Sequence, residues 1–198
     1  MTDGNIDRNA ALLLLKKYNQ DPFHLRHAFT VEAVMRYFAT ENGFAEDAEF
    51  WGLAGLLHDI DFERFPEEHC RKAPELLSEI NAPQRLVHAV CSHGWNLTVD
   101  VSPDHFMEEV LYATDELTGL IWACAIVLPS KSVKDVQLKT IRKKFRNEKF
   151  AAGCSRKVIE DGAGLLGWTL DELYEKTLTA MCATEDVVEA QLASEEKE

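Results

Sequence analysis

Two adjacent residues, His58 and Asp59, end one of the most apolar stretches of this chain, in which Phe50, Trp51, Leu53, Leu56 and Leu57 lead up to them. With 7 histidines and, by count, 13 aspartates among 198 residues, about half a His-Asp pair is expected by chance, so the dipeptide alone decides nothing. Its position carries the weight. An imidazole and a carboxylate at the buried end of an apolar helix are costly unless something satisfies them, and further His and Asp residues fall on predicted helices elsewhere. A metal ion satisfies such a cluster as a whole. Imidazole and carboxylate without thiolate suit Fe, Mn, Co, Ni or Zn.

The elements that must position these residues are helical. Apolar residues recur at spacings of three and four and no Val/Ile alternation appears, which predicts an all-α fold, a single bundle of about seven to nine helices. Helices are predicted over 6–18, 22–42, 45–58, 66–80, 83–93, 103–128 with a break near Gly119, 133–146, 155–166, and from Thr169 onward. Asp21 and Pro22 cap and start the second helix, Ser102 and Pro103 do the same for the sixth, and Gly167 stops the eighth. Thr169 and Glu172 form a capping box, with Trp168 and Leu173 at the positions of a hydrophobic staple. On the second helix His27, Val31, Met35 and Phe38 share one face. No repeat or Gly/Ser/Pro linker marks a boundary. Residues 1–20 are therefore an N-terminal helix packed on the domain, 21–182 the domain with a C-terminal helical extension, and 183–198 a helix end and polar tail that frays over 194–198.

The ordered set of an early His, a His-Asp pair at a helix end and a later Asp resembles the signature of the HD-domain superfamily. The resemblance makes His27, His58, Asp59 and Asp115 ligands of one ion, and it makes His69 and His93 similar to the second-metal positions of HD-type diadenosine tetraphosphate hydrolases. Residues 21–182 look like a branch of predicted HD hydrolases marked by His-Asp-x-Asp (58–61), Asp-Glu-Leu-Thr-Gly-Leu (115–120) and Pro-Ser-Lys-Ser (129–132). What this implies is a phosphohydrolase acting on a nucleotide or another small phosphate ester or anhydride. Two divalent ions, with Asp59 bridging them, would lower the pKa of water towards neutrality and screen the phosphoryl charge. Asp61 and Glu116 are the further catalytic candidates, orienting water or a ligand histidine. Where many members read His-Asp-x-Gly-Lys, this chain has Asp61 and Phe62. The phosphate-binding cation must then come from elsewhere: Lys131 first, then Arg26 and the basic helix bearing Arg142, Lys143 and Lys144, unless that charge run is a solvated face. His24, His88 and His105 match no motif position and read as surface or core histidines, while Trp51, Trp95 and Trp122 read as core or pocket lining.

Two other function classes are weighed: a mixed-valent di-iron oxygenase, which shares the ligand pattern on the same fold, and a non-catalytic metal-binding signalling module with a degenerate site, against which the intact ligand set argues. Composition narrows the partners. With 46% hydrophobic and 28% charged residues the chain is expected to fold, and a net charge of -13 disfavours nucleic-acid polymers and anionic membrane surfaces. No signal core or spanning segment is read, so the expectation is a cytoplasmic protein with a small phosphorylated substrate, for which a homodimer is compatible. The five cysteines, widely spaced and odd in number, read as reduced thiols, four of them small hydrophobes in helical surroundings.

Overall fold

A computed structural model describes residues 6–195; positions 1–5, and the last three residues of the tail expected to fray, lie outside the described residues. Nine α-helices and no strand occur among the described residues: α1 Arg8–Tyr18, α2 Pro22–Glu41, α3 Ala48–Leu57, α4 Ala73–Ser78, α5 Gln84–Ser92, α6 Phe106–Ile126, α7 Leu138–Phe145, α8 Arg156–Leu165 and α9 Leu170–Glu195. The all-α expectation holds. All nine helices contribute to one contiguous apolar core, from Ala11 of α1 to Val188 of α9. No helix among the described residues is long and apolar enough to cross a membrane.

Helices begin where the sequence carries cap chemistry. Asp21 Oδ1 accepts from the Phe23 amide (2.8 Å) at the start of α2, and Ser155 Oγ accepts from the Val158 amide (3.3 Å) at the start of α8. The box ahead of α9 is reciprocal: the Thr169 amide donates to Glu172 Oε2 (2.8 Å) and the Glu172 amide to Thr169 Oγ1 (3.2 Å).

Four predicted spans differ. The helix expected over 45–58 opens as a 3₁₀ turn at Ala45–Asp47 before α3 begins. Residues 66–80 do not form one helix: a 3₁₀ turn at Pro66–Glu68 is followed by Cys70 at φ 63°, and α4 starts only at Ala73. Pro74 explains the break, because it has no amide to donate into a helix running through 70 and is tolerated only in a first turn. Ser102 and Pro103 lie outside α6, whose cap is His105: its Nδ1 accepts from the Met107 amide (3.1 Å), and Glu108 reaches back to the Asp104 amide (2.9 Å). The helix then runs unbroken through Gly119. Finally, 133–146 divides into a 3₁₀ turn at Val133–Asp135 and α7.

The core geometry that matters for chemistry is the packing of α3 on α2. Val31, Met35 and Phe38 of α2 are buried, as are Trp51, Leu53, Leu56 and Leu57 of α3. Gly55 permits the close approach: a Cβ there would stand 2.8 Å from the Val31 carbonyl oxygen and 3.0 Å from Glu32 Cα, both backbone atoms. Val31 is one turn after His27 and Gly55 one turn before His58. The contact therefore sets how near the two histidines come.

Candidate metal centre

Four histidines and two aspartates converge where α2, the C-terminal ends of α3 and α5, and α6 meet. His27 comes from α2 and Asp115 from α6, while His58 and His93 occupy the positions just after α3 and α5. His69 stands in the break after Pro66–Glu68, not on a helix as the sequence suggested.

The six ligand candidates form two groups. In the first, His27 Nε2 lies 3.1 Å from His58 Nε2 and 2.9 Å from Asp115 Oδ1, and His58 Nε2 lies 3.2 Å from the same oxygen. In the second, His69 Nε2 and His93 Nε2 are 3.1 Å apart. Asp59 stands between them: Oδ2 is 3.3 Å from His58 Nε2 and 3.7 Å from His27 Nε2, while Oδ1 is 3.5 Å from His93 Nε2 and 3.6 Å from His69 Nε2. With metal–ligand bonds of about 2.1 Å, neighbouring ligand atoms stand about 3.0 Å apart at right angles and about 3.4 Å apart in a tetrahedron. Those spacings match what the donors adopt, and two sets, His27, His58 and Asp115, and His69 and His93 together with Cys70, are positioned to hold a metal ion.

The far sides of the rings explain why Nε2 is the atom presented. His58 Nδ1 donates to the Gly55 carbonyl (2.8 Å), His93 Nδ1 to the Val90 carbonyl, and His69 Nδ1 to Asp61 Oδ1 (2.9 Å). Each proton held at Nδ1 leaves Nε2 as the atom that faces its group and that a metal ligand would use once its own proton is lost. Asp61 is thereby placed. It is fully buried behind His69 and does not line the cleft.

The site's electrostatics favour positive charge. Burial works against a charged His58, yet the Asp59 and Asp115 carboxylates outweigh it and raise its pKa to about 10. Burial likewise opposes His69, but its bond to Asp61 lifts it to about 9, and His93 is raised well above the usual range. Both aspartates resist the effect of burial, because the adjoining imidazoles hold them below the ordinary carboxylate range. Burial and the Asp115 charge together push Glu116 up to about 7.

Cys70 also falls within reach of the second group. Burial raises its thiol pKa, but the His93 charge and the bonds to His69 and His93 prevail and hold it at about 6. Its Sγ is 3.7 Å from His93 Nε2 and 3.9 Å from His93 Nδ1, near-equal distances that place the sulfur beside the ring, off the axis along which Nε2 would bind an ion. Asp59 Oδ1 stands nearer the two Nε2 atoms, 3.5 Å from that of His93 and 3.6 Å from that of His69. All five cysteines are free thiols, but Cys70 lies outside any helix and was legible only as a small hydrophobe.

A cleft of about 400 Å³ opens over the centre, and His27, Asp59, His69, His93, Asp115 and Glu116 line it. The predicted phosphate-binding cations do not. Arg26 lies over the Trp122 ring (4.5 Å) and pairs with Glu189, Lys144 lies over Phe150 (4.0 Å), and Lys131 and Lys143 are exposed away from the cleft. Arg142 of the same helix pairs with Asp171 (2.6 Å). Of the histidines without a motif position, His105 caps α6 and His88 binds Glu108 (2.8 Å), but His24 lines the cleft mouth. Phe23, Phe62 and Leu97 line it as well. The sequence held one signal for this wall: Phe23 precedes His27 by one helical turn and so shares its face.

Comparison of the chain with protein families, curated proteins and solved structures finds no match.

Proposed function

We propose that this chain is a metal-dependent phosphohydrolase of the HD type, acting on a small phosphate ester or anhydride with two divalent ions of Fe, Mn, Co, Ni or Zn. One observation carries the reading: Asp59 turns one carboxylate oxygen towards the His27–His58–Asp115 group and the other towards the His69–His93 group. A carboxylate facing two separate sets of imidazole lone pairs is the arrangement that bridges a pair of cations. Such a pair supplies acidification of water and screening of the charge that develops during phosphoryl transfer.

The chain's own residues do the rest. Asp61 holds His69 in its ligating tautomer, and the backbone carbonyls of Gly55 and Val90 do the same for His58 and His93. Glu116, on the cleft wall beside Asp115, is the carboxyl placed to exchange a proton with water or with the leaving oxygen. Because no predicted cation lines the cleft, the substrate's phosphoryl group meets the centre itself.

The test is phosphate release from a panel of nucleotides and phosphate esters by protein loaded with each ion in turn. Asp59→Ala should lose bound metal and at least about 100-fold in turnover while keeping a helical circular-dichroism spectrum. A variant with wild-type metal content and turnover contradicts the assignment. Dioxygen uptake with an iron-specific resonance signal, in place of phosphate release, assigns the oxygenase chemistry instead.

A further inference from the structure

We propose that the cleft takes a phosphate monoester of an apolar, preferably flat, organic group, the phosphoryl end meeting the centre and the organic end lying against Phe23, Phe62 and Leu97. This rests on the hydrolase reading and narrows it to one kind of substrate.

Scattered exposed apolar residues need no explanation, but clustered ones do. Phe23 is 56% exposed, Phe62 41% and Leu97 54%, and all three line the one cleft above the ligand groups. Each is tied in sequence to a ligand: Phe23 four residues before His27, Phe62 three after Asp59, Leu97 four after His93. Helix α2, the turn after α3 and the turn after α5 therefore each deliver a ligand and an apolar side chain to the same opening.

The aromatic part of the wall is continuous and held in place. The His24 ring packs edge-on against both Phe23 (5.8 Å between centroids) and Phe62 (5.7 Å), and Phe62 meets the His69 ring edge-on at 5.1 Å. Glu63 fixes His24 through Nδ1 (3.0 Å). An aromatic surface that is already ordered and still open to water offers area to a ligand at small entropic cost.

Charge selects against longer phosphate chains. Among the described residues, no Lys or Arg lines the cleft, whereas Asp59, Asp115 and Glu116 do. One phosphoryl group can be neutralised by the ions at the centre. A second or third would have to meet Glu116 or the apolar wall, a lining without Lys or Arg; Arg26 borders the adjoining hollow and pairs with Glu189. The volume of about 400 Å³ is at the lower end of ordinary small-molecule sites and suits a monoester.

Two measurements on the metal-loaded protein test this. Calorimetric binding of phenylphosphonate should exceed that of methylphosphonate by at least tenfold, about 1.4 kcal/mol. Phe23→Ala and Leu97→Ala should each remove much of that advantage, read as the ratio of the two phosphonate affinities with metal content monitored. Equal binding of the two phosphonates, or variants that keep the full advantage, overturns the proposal. In turnover, phenyl phosphate should surpass methyl phosphate and ATP in kcat/KM. Faster release from ATP overturns the monoester proposal and leaves the hydrolase reading standing. An aryl preference in binding with no phosphate released from any ester sinks the hydrolase reading and leaves the ligand class in place.

Discussion

At the scale of single residues, the centre depends on groups that never meet an ion. Asp61 is the clearest, because its Oδ1 accepts the Nδ1 proton of His69 and so decides which nitrogen of that ring faces Asp59 and His93. Removing it frees the tautomer and the ring orientation. Asp61→Ala is expected to weaken binding of the ion at His69 and His93 by about 10- to 100-fold, with the ion at His27, His58 and Asp115 retained. Metal titration of the variant checks this, and a variant that binds both ions as tightly as wild type removes Asp61 from its assigned role.

Protons compete for the same atoms, and the sign of the competition can be worked out. His58 and His69 have folded-state values near 10 and 9 against an ordinary 6.5, so in metal-free protein they contribute stability that is present below about pH 6.5 and lost as the pH rises through 9 to 10. Asp59 and Asp115, held below the ordinary 3.8, contribute stability present above that value and lost as the pH falls. An ion bound there would replace the Nε2 protons. The melting temperature of metal-free protein should therefore decline from pH 6.5 to pH 10, while that of metal-loaded protein holds, and metal uptake near neutral pH should release protons. Melting curves that run parallel with and without metal contradict this account.

At the scale of elements, the spacing of ligands is a packing problem. Gly55 lets α3 lie directly on the backbone of α2, and Gly55→Ala would put a methyl group 2.8 Å from the Val31 carbonyl oxygen. Backbone cannot swing aside as a side chain can, so the helices must part. The expected cost is about 1 to 3 kcal/mol, with a melting temperature several degrees lower and weaker metal retention at His27 and His58. Unchanged melting and metal content would mean that some other contact sets the distance between the two histidines.

Elements were legible in the sequence where start and stop chemistry is local. Asp21-Pro22, Ser155 and the Thr169–Glu172 box each mark a helix that begins there. The reading failed where a local signal had a nearer competitor. Ser102-Pro103 looks like a helix start, but His105 and Glu108 cap α6 three residues later. The periodicity of 66–80 hides a left-handed residue at Cys70, whose conformation no sequence rule assigns to cysteine. That break matters, since it is what turns His69 towards Asp59.

At the scale of the whole molecule, six ligand candidates drawn from positions 27 to 115 stand close together. The cleft wall was not legible in the same way. Whether Lys131 or Phe62 borders the centre depends on how turns after α3 and α6 are carried by the packed helices, and that packing has no local signature. Of the cations that the sequence offered, Arg26 pairs with Glu189 and Arg142 with Asp171, away from the centre.

The most direct measurement is therefore the number of ions per chain, by elemental analysis of fully loaded protein with anomalous scattering to locate them. The account predicts two ions, one among His27, His58 and Asp115, the other at His69 and His93, with Asp59 touching both. A single ion per chain, or two ions that do not share Asp59, would contradict it.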